Sequence, residues 1–232
     1  MKFLRFDFSC LLFLLIFSLI SSTSIAQTPI ENRLGSEICN CLSNERGIKE
    51  FTTETYLKCF EIAARNNNKL LQNTAFEKYG DSSYASGNKL GKLLFNDISV
   101  LLVNQCDKYY TLRKAKRLSD LNKITTLNRD SLHNIIDSLN KVSEIFQDYF
   151  FFQKRASTLF RLKNFKQSIS DFDKAIILNS SDISSLAMGA WACEITGQLD
   201  KAIDLYKKLT NINSTNIFLV YLTMAQRSKS GR

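Results

Sequence analysis

The sequence predicts an all-α protein: a small disulfide-linked helical bundle followed by a short α-solenoid of repeated helix pairs. Three observations carry that expectation. The stretch from Tyr149 to Asn216 repeats itself at a shift of 34 residues, placing Ser168, Ile169 and Phe172 on Ala202, Ile203 and Tyr206, and Leu178-Asn179-Ser180 on Ile212-Asn213-Ser214. Elsewhere apolar residues recur every three or four positions, the period of one helix face. Glycine and proline are scarce, 8 and 1 in 232 residues, which disfavours turn-rich β architectures.

In chain order, residues 1–26 have the build of a secretory signal peptide. Lys2 and Arg5 precede an apolar run from Leu11 to Ile20, and Ser24-Ile25-Ala26 puts small residues before a cut at Gln27. The run is shorter than the roughly 17–25 residues of a spanning helix, so no stable membrane span is expected after cleavage.

Export makes the cysteines of the next region, 27–107, informative, because disulfides persist outside the reducing cytosol. Leu34, Ile38, Cys41 and Leu42 trace one apolar stripe. A second, behind Thr52 or Thr53 as cap, carries Tyr56, Leu57, Phe60, Ala63 and Ala64. A third carries Leu71, Ala75, Phe76 and Tyr79 and stops at Gly80, and a longer fourth carries Leu90, Leu94, Ile98 and Leu101. Cys39 and Cys41 diverge by about 200° on a helix, so each should reach a different partner. One pairs with Cys59 and the other with Cys106. Both combinations remain open, with Cys41–Cys59 and Cys39–Cys106 as the working assignment. Zinc sites favour two close ligand pairs and redox sites Cys-x-x-Cys. Neither pattern is present, so no metal and no cofactor is expected.

The connector, 108–148, is charged and partly helical, then amphipathic from Asp130 or Ser131: Leu132, Ile135, Ile136, Leu139, Val142, Ile145 and Phe146 form a stripe expected to cover the first repeat. The chain's net charge of +9 has one dense focus, Arg113 to Arg117, read as a solvated helix face. No nucleic-acid motif surrounds it, and no nucleic-acid partner is expected. The one histidine, His133, sits beside the stripe without a nucleophile near it. No phosphate loop, His-Glu-x-x-His or Gly-x-Ser-x-Gly occurs, and no catalytic residue is assigned.

Residues 149–232 hold the repeats and a terminal helix. Helix A of the first repeat is expected over Tyr149–Leu162 and helix B over Phe165–Leu178; in the second they fall over Ile183–Thr196 and Leu199–Ile212. Small residues at Ala156, Ser168, Ala190 and Ala202 let paired helices approach, while Phe152, Phe172, Leu186 and Tyr206 fill the space between them. Cys193 takes a packing position as a buried thiol. This arrangement resembles the tetratricopeptide repeat (TPR) family, over two repeats and a partial third. The sequence departs from that family at Arg155 and Gly189, where it favours leucine, at Leu209, and at Ser180 and Ser214, where it favours proline.

The resemblance implies a non-enzymatic scaffold that binds a protein or peptide along the face of its A helices. Carried over by position, that face comprises Gln153, Ser157, Phe160 and Arg161, then Ala187, Met188, Trp191 and Glu194. Gln153 and Ser157 do not match the Lys/Asn carboxylate clamp of some relatives, so that activity is not implied. Trp191 either anchors a ligand or packs against a neighbouring helix. Ile217 to Ala225 is apolar nearly all round; it is covered by the N-terminal half, or pairs with another protein through residues such as Phe218 and Tyr221. The expected function is thus an exported interaction protein, periplasmic or secreted. A self-associating structural protein is the alternative, with a homodimer through the C-terminal helix. A thiol-dependent enzyme is the weaker third reading.

Overall fold

The computed structural model describes residues 28–44, 51–126, 129–142 and 144–231; the signal segment expected over 1–26 lies outside them. The described residues form eleven α-helices and no strand. The bundle comprises α1 (Pro29–Asn44), α2 (Thr53–Asn66), α3 (Asn68–Tyr79) and α4 (Tyr84–Gln105). Local chemistry sets their ends. The Thr52 hydroxyl accepts from the Thr55 amide to start α2, and Gly80 adopts φ 79° to close α3. Leu34, Ile38 and Leu42 of α1 are fully buried against α2 and α4, each burial contributing about 1.5–3 kcal/mol. Gly35 lies at that approach: a Cβ there would stand 2.5 Å from Leu101 Cδ2, so the Leu101 side chain would have to turn aside.

Two disulfides brace the bundle. Cys41 joins Cys59, tying α1 to α2, and Cys39 joins Cys106 at the end of α4. The divergence of neighbouring side chains on one helix is therefore resolved as the working assignment had it. Leu57 and Phe76 leave their expected stripes and are solvent-exposed. In α2 the buried row is Tyr56, Cys59, Phe60 and Ala63, and Leu57 lies off that row. In α3 only Ala75 is buried.

The charged connector is helical throughout its first part, as α5 (Asp107–Thr126); α6 (Arg129–Asn140) follows. α6 packs on α7, with Leu139 and Val142 against the cluster of Phe151, Phe152 and Ala175, as expected of a covering helix. The stripe stops short of the expected end. The helix breaks after Asn140, a 3-10 turn takes over at Glu144–Phe146, and Ile145 and Phe146 are exposed because the break rotates them off the row. His133 is exposed, its Nδ1 2.8 Å from the Arg129 carbonyl oxygen.

The repeated region forms two helical hairpins, α7 (Tyr149–Arg161) with α8 (Phe165–Leu178), and α9 (Ile183–Ile195) with α10 (Leu199–Ile212), followed by α11 (Asn216–Ser230). The 34-residue period is visible in the backbone. Asp148 and Asp182 cap α7 and α9, accepting from the Phe151 and Ser185 amides. Lys163 and Gly197 both adopt the left-handed conformation, φ 63° and 76°. Asn179 and Asn213 both end their helices in extended geometry. Ala156, Ser168, Ala190 and Ala202 are fully buried, and the Ser168 hydroxyl donates to the Ala156 carbonyl at 2.9 Å. The departures at Arg155 and Gly189 are one exchange. Arg155 makes a two-pronged salt bridge to Asp171 at 2.6 and 2.8 Å; one period on, the pair becomes Gly189 and Leu205, with Leu205 Cδ1 3.7 Å from where a Gly189 Cβ would stand.

α11 is covered from within the chain. Val220 and Met224 enter the core of the N-terminal bundle, while Leu222 and Ala225 enter the repeat core. Its end is sewn down by polar contacts: Arg227 to the Val103 carbonyl and Asp107, and Tyr110 to Ser228 at 2.7 Å. Its apolar girth thus bridges two cores, while Phe218 and Tyr221 stay half-buried.

Candidate functional site

The A-helix face of the array is built from α7, α9 and α11, and α5 lies across it. Tyr109, Arg113, Arg117, Leu121 and Thr125 form a row along α5, spaced every four residues. Tyr109 and Leu112 pack into the bundle core, and Leu121 into the repeat core. Between them Arg117, with an 11% exposed side chain, is the centre of the face. Its Nη2 donates to Glu194 Oε2 at 2.7 Å and to the Tyr206 hydroxyl at 2.9 Å. The Tyr206 hydroxyl donates to the same carboxylate oxygen at 3.0 Å. The guanidinium lies 4.1 Å from the Tyr221 ring centroid and 4.9 Å from that of Trp191. Burial pushes the Tyr206 phenol far above its ordinary value, and the Arg117 charge only partly offsets that, so the phenol stays protonated. Arg113 stacks on Phe51 at 4.6 Å with its Nε buried and without a partner. The expectation of a solvated basic face is corrected here: Arg113 and Arg117 turn inward along the row, while Lys114 faces solvent.

The residues assigned to the groove from the sequence are mostly brought together. Phe160 is fully buried, 5.3 Å from the Trp191 ring, and acts as floor. Ser157 reaches Met188 Sδ at 3.8 Å. Gln153 is held by Asp182 and Tyr149 at 3.0 Å each. Ala187, Met188, Trp191, Phe218 and Tyr221 are half-buried, Glu194 is spent on Arg117, and Arg161 is half-buried at the far end of α7. α5 divides what remains into two clefts. One, about 320 Å³, runs beside Leu118, Leu121, Trp191 and Ile195. The other, about 340 Å³, runs beside Ile124, Ala187, Met188 and Tyr221. Sequence reasoning missed Arg117, Leu121 and Tyr206 as parts of this face. The signal was the row of every fourth residue through two arginines, which charge density had disguised as a surface.

No family model, curated protein or solved structure matches this chain. Its chemistry is therefore read from its own groups. All four bundle cysteines are in disulfides, and the buried Cys193 thiol is pushed up to about 11 by burial, so a thiol nucleophile is not available there. Among the described residues no three or more His, Cys, Asp or Glu side chains are grouped to hold a metal ion, and no helix is long and apolar enough to cross a membrane. At the centre of the face Arg117 and Glu194 pair with each other, and the clefts on either side are lined mainly by apolar surface.

Proposed function

We propose that this chain is an exported, TPR-like interaction protein that binds a protein or peptide segment in the apolar clefts beside α5. The observation that carries the reading is the ring of half-buried apolar side chains, Met188, Trp191 and Tyr221, left accessible on either side of α5. A half-buried tryptophan beside an open cleft is the kind of anchor that dominates protein interfaces. The two disulfides support export, being bonds that persist in oxidising compartments. The alternative is a homodimer through α11, whose Phe218 and Tyr221 are half-buried while Val220, Leu222, Met224 and Ala225 are buried inside the chain.

The test is a photo-crosslinking residue placed at Met188, with the same residue at the exposed Gln226 as control, in an extract of the envelope from which the protein comes. A discrete crosslinked product at 188 alone, lost when Ile124→Glu charges the same cleft, supports the reading. Equal crosslinking at both positions, or none at 188, sinks it.

A further inference from the structure

A cavity larger than either of these clefts lies outside this face, in the cystine bundle. It encloses about 700 Å³ between α2, α3 and α4, within the range of small-molecule sites. Its floor is apolar, formed by Phe60, Leu71, Ala75 and Leu90. Its rim carries amides and hydroxyls, including Gln72, Asn88 and Tyr84, and one charged side chain, Glu61, which Arg65 of the same helix approaches to 3.7 Å. No lysine, arginine or histidine lines it. Tyr84 stands 88% exposed at the mouth.

Two glycines of α4, Gly87 and Gly91, face this space one helical turn apart. A Cβ at either position would meet nothing within 4 Å, and neither has a left-handed backbone. The fold therefore has no steric or conformational use for glycine here, although glycine is among the poorest residues for a helix interior. What the two glycines do is hold the wall of the cavity open. On the opposite wall, α3 buries only Ala75, and the half-buried Leu71 also lines the cavity, so an occupant would pack against it.

We infer that the cavity bounded by Gly87 and Gly91 binds a small amphipathic molecule with an apolar body and a neutral, hydrogen-bonding head. The apolar floor receives the body, and the amide and hydroxyl rim hydrogen-bonds the head. The one carboxylate at the rim lies 3.7 Å from the Arg65 guanidinium, and no other charged side chain lines the wall, so a charged head finds no counter-ion there and a neutral one is favoured.

Three chemically defined probes test this on the full mature chain, each used below its micelle concentration: octyl glucoside (neutral), decyltrimethylammonium (cationic) and decanoate (anionic). Calorimetry should give saturable one-to-one binding of octyl glucoside, with both charged probes at least tenfold weaker. Gly91→Leu fills the cavity and should abolish that binding while raising the melting temperature, since it replaces glycine in a helix with space to spare. Gly87→Leu provides a second fill. Saturable binding that survives both substitutions, tightest binding of either charged probe, or no saturable binding of octyl glucoside overturns the inference. So does a wild-type dimer that Gly91→Leu converts to a monomer, which would give the cleft to a second copy.

Discussion

At the residue scale, equivalent positions of the two hairpins solve the same geometric problem with different side chains. Gly197 takes its left-handed turn at no steric cost, whereas Lys163 takes the same turn with a Cβ, at a cost of roughly 1–2 kcal/mol. Lys163 is exposed, so Lys163→Gly should stabilise the protein by about 1 kcal/mol, read from the midpoint of chemical unfolding. An unchanged or lowered midpoint would show that the lysine makes a compensating contact. The cap Asp182 carries a pH signature. Burial works to raise its pKa, but hydrogen bonds from the Ser185 hydroxyl and amide, Tyr149 and Gln153 outweigh it and hold the carboxyl below its usual range. A carboxyl whose pKa is depressed on folding contributes stability above its unfolded pKa of about 3.9, and that stability is lost as pH falls through the lower folded value. Asp182→Asn keeps a competent cap without the titration. Melting temperatures taken between pH 5 and pH 2.5 should therefore fall less steeply in the variant than in wild type.

At the element scale, the Arg155–Asp171 pair shows how a hairpin departs from its repeat without losing its packing. Asp171 is 4% exposed, so Asp171→Leu leaves a guanidinium largely buried without its partner, at a cost of about 3 kcal/mol. Adding Arg155→Gly reproduces the arrangement of the second hairpin and should recover most of the loss. A double-mutant cycle by denaturant unfolding measures this; additive effects would show that the two positions are not coupled. The helices themselves were legible in the sequence. Both hairpins fall within one residue of their expected ends because caps and left-handed turns are local. Departures arose where local pattern was weak. The connector stripe runs on past Asn140 in the sequence, but the chain breaks there, and α3 carries apolar residues that its neighbours do not bury.

At the scale of the whole molecule, α5 and α11 join two cores, and the disulfides act on that junction unequally. Cys39–Cys106 spans 67 residues and fixes the start of α5, whereas Cys41–Cys59 spans 18. In the chain-entropy view, removing the longer link costs about 4 kcal/mol and the shorter about 3. The Cys39→Ser/Cys106→Ser variant should melt lower than the Cys41→Ser/Cys59→Ser variant, and its α5 amides should exchange faster with solvent. Equal melting and exchange would place the seat of α5 in its own packing alone.

Two things about this protein the sequence determined by itself. One is the all-α class with its 34-residue period, because helix periodicity, caps and turns are written within a few residues of each other. The other is that Cys39 and Cys41 reach different partners, because side chains two apart on one helix diverge by about 200°; which takes Cys59 and which Cys106 was left to the fold. Only the tertiary structure decided what lies across the A-helix face. Arg117 meets Glu194 and Tyr206 across 77 and 89 residues of chain. Periodicity shows which side chains share a face of α5, but not which other helix that face meets. That depends on the summed packing of both cores, and it turns an apparent basic surface into the strut that joins them.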